Sequence, residues 1–215
     1  MQTNKIKNII FDLGGVIINL DTQKTATEMK KLGFADPASP AGGFEKSYTL
    51  TNQTNLFDLL EKGLISPVQF RAEIRKYISN PVSDEMIDSV WNAMLLDFPK
   101  DRIELIGKTR KNYRVFLLSN TNKIHFDKYS SDFKTGYGFN FNSLFEQAYY
   151  SFEIGYRKPD LEIFRYVLKH SNMIPEETLF IDDSEINIKA AQSAGLQTLH
   201  INLSENEDIV THLVL

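Results

Sequence analysis

The chain has 215 residues, 42% of them hydrophobic and 24% charged, with a net charge of -4 and no cysteine. That length suits one ample core, or a core with a smaller inserted unit. The charge excludes a broad basic surface for nucleic acid or anionic lipid, and the missing thiols exclude disulfides and thiolate metal sites.

Residues 6–11 form an apolar run that ends in Asp12, within "IIFDLGGVI". Lys5 and Lys7 ahead of it superficially suggest a secretory signal, but Asp12 interrupts the apolar stretch and no small-residue cleavage site follows. No apolar run approaches the ~20 residues that span a bilayer. The expected location is cytoplasmic, with neither nucleic acid nor membrane as a partner; the oligomeric state is left open.

Residues 19–97 contain no convincing strand. "FADPASPAGGF" (34–44) reads as a loop rich in Pro and Gly. Ser66, Pro67 and Gln69 form a capping box with proline at the first helical position. Ile87, Val90, Trp91, Met94 and Leu95 make an apolar stripe of the kind that packs a core, so Trp91 is expected to be a packing residue. Glu61 in "LEKG" is expected on a solvated helix face, and Asp21 as the cap of the first helix in this segment.

Further along, residues 115–118, 147–149, 179–181 and 196–201 read as strands. Most are continuous apolar runs, as when helices cover both faces of a parallel sheet. Helices separate them. One carries Ile163, Phe164, Val167 and Leu168; another, with Ser184 expected as its cap, carries Ile188 and Ala191 and ends at Gly195. The aromatic, glycine-bearing segment 129–143 is expected to be a surface excursion near the site rather than a binding surface. Strand and helix in alternation predict a doubly wound, Rossmann-like α/β sheet with an inserted helical bundle. The expected division is 1–18 with 98–215 as core, and 19–97 as the insert.

In such sheets ligands bind at the carboxyl ends of strands. Asp12, Ser119, and the pair Asp182–Asp183 end strands, and Lys158 in "GYRKPD" precedes a helix. Carboxylates held together repel one another and invite a hard cation with oxygen ligands, most simply Mg²⁺. Mg²⁺ in turn suits a phosphate ester. A carboxylate can attack phosphorus, while Ser119, the Asn120 amide and Lys158 neutralise the phosphoryl oxygens. The four histidines (125, 170, 200 and 212) have no close metal-ligand spacing.

"FDLGGVI", "LLSN", "GYRKPD" and "FIDD", in that order, resemble the four motifs of the haloacid dehalogenase superfamily. "FDLG", "LEKGLIS" and "LSNTN" are similar to the subgroup that contains bacterial α-glucose-1-phosphate phosphatases. The resemblance implies an α/β core with a helical cap, and a Mg²⁺-dependent phosphohydrolase acting on a small phosphorylated metabolite, sugar phosphates first. It implies Asp12 as nucleophile and the Gly14 carbonyl as a metal ligand. It also implies Ser119 and Asn120 as phosphate-binding residues and Lys158 as the neutralising lysine. Asp183 would be the acidic metal ligand, with Asp182 beside it as ligand or outer partner.

Most phosphatases of the family carry an Asp two positions after the nucleophile as general acid/base; here Gly14 stands there. Water, or Asp21, Glu45 or His125, are the candidates to replace it. Two rival readings remain at this stage. One is a 2-haloacid dehalogenase, which needs no metal. The other is a degenerate module that binds without turnover, which the intact Asp12, Ser119, Lys158 and Asp183 disfavour.

Overall fold

The computed structural model describes residues 6–34 and 56–213. Residues 35–44 of the segment expected as a loop, and Glu45, lie outside the described residues. The five predicted strands are present as β1 (Asn8–Phe11), β2 (Arg114–Ser119), β3 (Gln147–Tyr150), β4 (Thr178–Asp182) and β5 (Gln197–His200). They form one parallel sheet in the order β3-β2-β1-β4-β5.

The continuous apolar runs are explained by their two buried faces. Alternate residues of a strand point to opposite sides. Ile9, Phe11, Val115 and Leu117 join one cluster, whereas Ile10, Phe116, Leu118 and Phe180 join another. The first cluster takes Ile103 and Ile106 from helix α5 (Lys100–Thr109) and Tyr129 and Phe133 from α6 (Lys123–Tyr137). The second takes Ile163, Phe164 and Val167 from α8 (Leu161–His170) and Ile188 and Ala191 from α9 (Glu185–Ser193). A central strand buried on both faces has no room for a charge along its length, so Asp12 sits where the strand ends.

Segment 129–143 departs from the expected surface excursion. Its first part continues α6, and Tyr129, Phe133 and Phe141 are core residues, with Phe141 in edge contact with both of the others. The spacing of Tyr129 and Phe133 by one helical turn puts both rings on the face that meets the sheet.

A third cluster is built from α1 (Thr22–Leu32), α2 (Leu56–Glu61), α3 (Pro67–Arg75) and α4 (Asp84–Trp91). Met29, Phe57, Leu60, Phe70, Ile74, Ile87 and Trp91 pack there, joined by Ile124 of α6. Trp91 is fully buried, stacked on Phe57 at 5.3 Å, as the apolar stripe predicts. The Ser66 capping box is present in both directions, and Asp21 caps α1 through the Gln23 N–H. The chain enters and leaves this bundle through paired segments: Asn19 N–H donates to Asp97 O and Leu96 N–H to Asn19 O, each at 3.0 Å. Among the described residues, no helix is long and apolar enough to cross a membrane.

Candidate active site

Asp12 is held at the end of β1 by its own N–H, which donates to Ile181 O at 2.8 Å. The chain then turns at once: Gly15 N–H bonds Ile18 O, and Ile17 and Ile18 N–H both reach Leu13 O. Gly15 has φ +71°, and a Cβ there would lie 2.6 Å from Asp183 Oδ2. Glycine is therefore required both for the left-handed backbone and for the close approach of the Asp183 carboxylate.

Lys158 is almost fully buried, and its Nζ donates to Asp12 Oδ1 and Asp182 Oδ2, each at 2.7 Å. Its backbone is gripped as well. Lys158 N–H donates to Asn120 Oδ1 at 2.9 Å, and Asn120 Nδ2 donates to Lys158 O at 2.8 Å. The Asn120 side-chain amide is thus committed to positioning the lysine. Sequence reasoning placed the Asn120 amide on phosphate; here its side chain is engaged with the Lys158 backbone. Ser119 is buried at the end of β2, with its hydroxyl making only a long contact to Asn120 O at 3.5 Å.

Asp182 is fully buried and saturated. Oδ1 accepts from Ser184 N–H at 2.8 Å and from Asn187 Nδ2 at 3.1 Å, and Oδ2 takes the lysine. Ser184 stands at the N-cap position of α9 as expected, but its side chain makes no capping hydrogen bond; its own N–H is instead held by the Asp182 carboxylate. Asp12, Asp182 and Asp183 bring carboxylate oxygens within 4.8 Å of one another. One lysine against three acids leaves an excess of negative charge. Burial, together with the Asp182 and Asp183 charges and against the pull of Lys158, pushes Asp12 up to about 8. Burial and Asp182 push Asp183 up to about 6. Burial opposes the Lys158 charge, but Asp12 and Asp182 outweigh it and raise its pKa. Such a donor set fits a hard divalent cation: all-oxygen, over-negative, with Asp12 and Asp183 the two acids not already saturated.

The candidate proton donors fare unequally. His125 is buried, stacked on Trp91 at 4.8 Å, with Nδ1 2.9 Å from Asn92 Oδ1. Burial pushes it down to about 3, so it is neutral near pH 7 and part of the packing. Asp21 is occupied with its helix cap. At Gly14 the space for a side chain is taken by Leu20, whose Cδ1 lies 2.5 Å from where a Cβ would be.

Glu61 is not on a solvated face. It is buried beside Asp58, and both pair with Arg157, the residue preceding Lys158. Arg157 and Asn187 were not singled out by the sequence reading, although "GYRKPD" contains the former. No local pattern marks Asn187 as a partner of Asp182.

A model of the haloacid dehalogenase-like hydrolases matches residues 6–195. D-ribitol-5-phosphate phosphatase of Bacteroides thetaiotaomicron is 33% identical over 193 residues, which is 90% of each chain. A HAD family enzyme from the same organism, solved with magnesium and inorganic phosphate, is 40% identical with TM-score 0.83, covering 92% of this chain and 94% of that one. A predicted HAD-like family hydrolase from Porphyromonas gingivalis is 33% identical with TM-score 0.79, covering 91% of this chain and 90% of that one.

Proposed function

The chain belongs to the haloacid dehalogenase-like hydrolases, and from that premise we propose that it is a Mg²⁺-dependent phosphatase of small sugar or polyol phosphates, with Asp12 as nucleophile. The observation that carries the proposal is the Lys158 ammonium shared by Asp12 and Asp182, with Asp183 alongside. The curated relative that covers nine-tenths of the chain acts on a sugar-alcohol phosphate, which favours a hydroxylated, singly phosphorylated substrate. That relative's substrate carries its phosphate on a primary alcohol, so the reading is broader than the α-glucose-1-phosphate subgroup.

Asp12, the Gly14 carbonyl and Asp183 would hold Mg²⁺, which supplies positive charge against the carboxylates and the incoming phosphate. The Asp12 carboxylate attacks phosphorus, the bond from phosphorus to the leaving oxygen breaks, and that oxygen takes a proton from solvent. Water then cleaves the aspartyl-phosphate, releasing phosphate and restoring the carboxylate. Lys158 keeps Asp12 oriented and is placed to neutralise a phosphoryl oxygen; Ser119 donates its hydroxyl to another. Asp182 orients Lys158 and stays off the metal. Residues 1–18 with 98–215 form the catalytic core, and 19–97 the cap that covers it.

The test is a panel of sugar, polyol and aryl phosphates together with 2-haloacids, assayed with Mg²⁺ and with EDTA. The expected result is phosphate release that EDTA abolishes and Mg²⁺ restores. With no side chain at Gly14 to donate a proton, aryl phosphates are expected to react faster than alkyl phosphates, since a positioned acid is commonly worth ~10²–10⁴ in rate. Halide release that ignores EDTA would contradict the proposal in favour of a dehalogenase; inactivity on the whole panel would favour a binding module.

A further inference from the structure

Helix α2 meets the core beside Lys158. Asp58 and Glu61 both pair with the Arg157 guanidinium, Glu61 at 3.0 Å, and all three side chains are largely buried. Lys62, just past the helix, bonds Asp160 Oδ2 at 3.0 Å. Gly63 follows with φ +65°, and a Cβ there would lie 2.2 Å from the Phe152 carbonyl oxygen. The end of α2 therefore rests directly on the backbone of α7 (Ser151–Ile154). That short helix is tied in turn to the phosphate-side loop, because Ser151 Oγ both accepts from Thr121 N–H and donates to Thr121 O, each at 3.0 Å.

Residues 157–160 are thus clamped from two sides. Asn120 grips the Lys158 backbone from the sheet, and α2 grips Arg157 and Asp160 from the helical bundle. Buried ion clusters give little net stability, because desolvation offsets the attraction. A second acid on one arginine gives still less. Stability alone does not account for two buried acids and one buried arginine placed next to the catalytic lysine.

We propose that Arg157 is a positioning residue: docking of α2 through Asp58 and Glu61 holds the 157–160 turn, and so Lys158, in register with Asp12. This rests on the phosphatase reading above and adds that the 19–97 segment reports its docked state to the phosphate site through a specific ion cluster. With α2 undocked, Arg157 loses both partners, its turn relaxes, and Lys158 is held only by Asn120 and the two aspartates. A displacement of about 1 Å in a positioning group costs on the order of 10²-fold in rate.

The test uses the full chain with Mg²⁺, p-nitrophenyl phosphate as substrate and inorganic phosphate as inhibitor, well below the melting temperature of each variant. Neither probe carries sugar hydroxyls for α2 to recognise, and inorganic phosphate has no leaving group at all, so a parallel change in both reports on Lys158. Arg157→Met is expected to lower kcat by between about 10- and 10²-fold, and to weaken phosphate inhibition in parallel. Arg157→Lys, which keeps a cation opposite Asp58, is expected to recover part of both. A purely structural ion pair would lower the melting temperature and leave kcat and phosphate inhibition at wild-type values, and that result overturns the proposal. Should Arg157→Met fail to fold, Gly63→Ala pushes α2 off the Phe152 carbonyl without changing a charge. A parallel loss of kcat and phosphate inhibition in it supports the proposal, and wild-type values for both overturn it. An active wild type with unaltered variants removes this inference alone. A wild type inactive on every phosphate ester removes the phosphatase reading and the inference with it.

Discussion

The adjacent acids Asp182 and Asp183 have different work because their oxygens have different neighbours. Asp182 spends both on Lys158, Ser184 and Asn187, whereas Asp183 faces Asp12 across the space that Gly15 leaves open. Asp183→Asn is therefore expected to raise the Mg²⁺ concentration needed for half-maximal rate. Asp182→Asn should leave that requirement nearly unchanged while lowering kcat by ~10²-fold or more, the usual cost of losing one charge-stabilising donor from its place. A Mg²⁺ titration of both variants that gives the reverse order would exchange their roles. The strand-end acids and Ser119 were legible in the sequence because each lies in a compact string at a strand terminus, and Lys158 because "GYRKPD" is a compact string just before a helix. The grip of Asn120 on the Lys158 backbone was not, since it joins residues 38 apart, and the pairing of Arg157 with Asp58 joins residues 99 apart. Nothing local encodes such pairs. Glu61 misled for the same reason: an acid in a charged string reads as solvated until its distant partner is seen.

At the scale of elements, apolar runs marked the strands well because a strand buried on both faces leaves a continuous signature. Helix α6 was harder. Glycines and polar residues between its aromatics suggested a loop, and only the placement of Tyr129 and Phe133 on one face, against the sheet, makes it a core helix. Ser184 takes the N-cap position of α9 as expected, but without a side-chain capping bond, and its N–H is held by Asp182, a residue of the site. The bundle of α1–α4 has its own test in Trp91, which touches Phe57, Phe70 and His125 at ring distances of 5.3, 5.1 and 4.8 Å. Trp91→Ala is expected to cost about 3–5 kcal/mol. For a chain of this size each kcal/mol lowers the melting temperature by ~2–4 °C. Calorimetry showing no loss of stability would mean that this cluster does not hold the bundle together.

For the whole molecule, the buried carboxylates couple folding to pH and to metal. Asp12 at about 8 and Asp183 at about 6 both lie above the ordinary carboxylate value. A folded-state pKa that is raised means the protonated form is favoured on folding. The associated stability is complete below the unfolded value and is lost as pH rises through 6 and then 8. Metal-free protein is therefore expected to melt at progressively lower temperature from about pH 5 to about pH 8.5. Mg²⁺ needs both groups deprotonated, so its stabilising effect should grow over the same interval. Melting curves with and without Mg²⁺ that stay parallel across this range would contradict the charge balance described here. The acids of the site lie at strand ends and Lys158 in the turn ahead of α8, whereas the acids that hold Arg157 come from α2.

Phosphorylation of Asp12 is read out by acid-quenching the enzyme during turnover of a ³²P-labelled polyol phosphate and mapping the label. Mg²⁺-dependent label is expected on the peptide containing Asp12, sensitive to hydroxylamine as an acyl phosphate is, and absent from Asp12→Asn, which should release phosphate no faster than buffer. Steady phosphate release by Asp12→Asn, or turnover by the wild type with label on another residue, would contradict it.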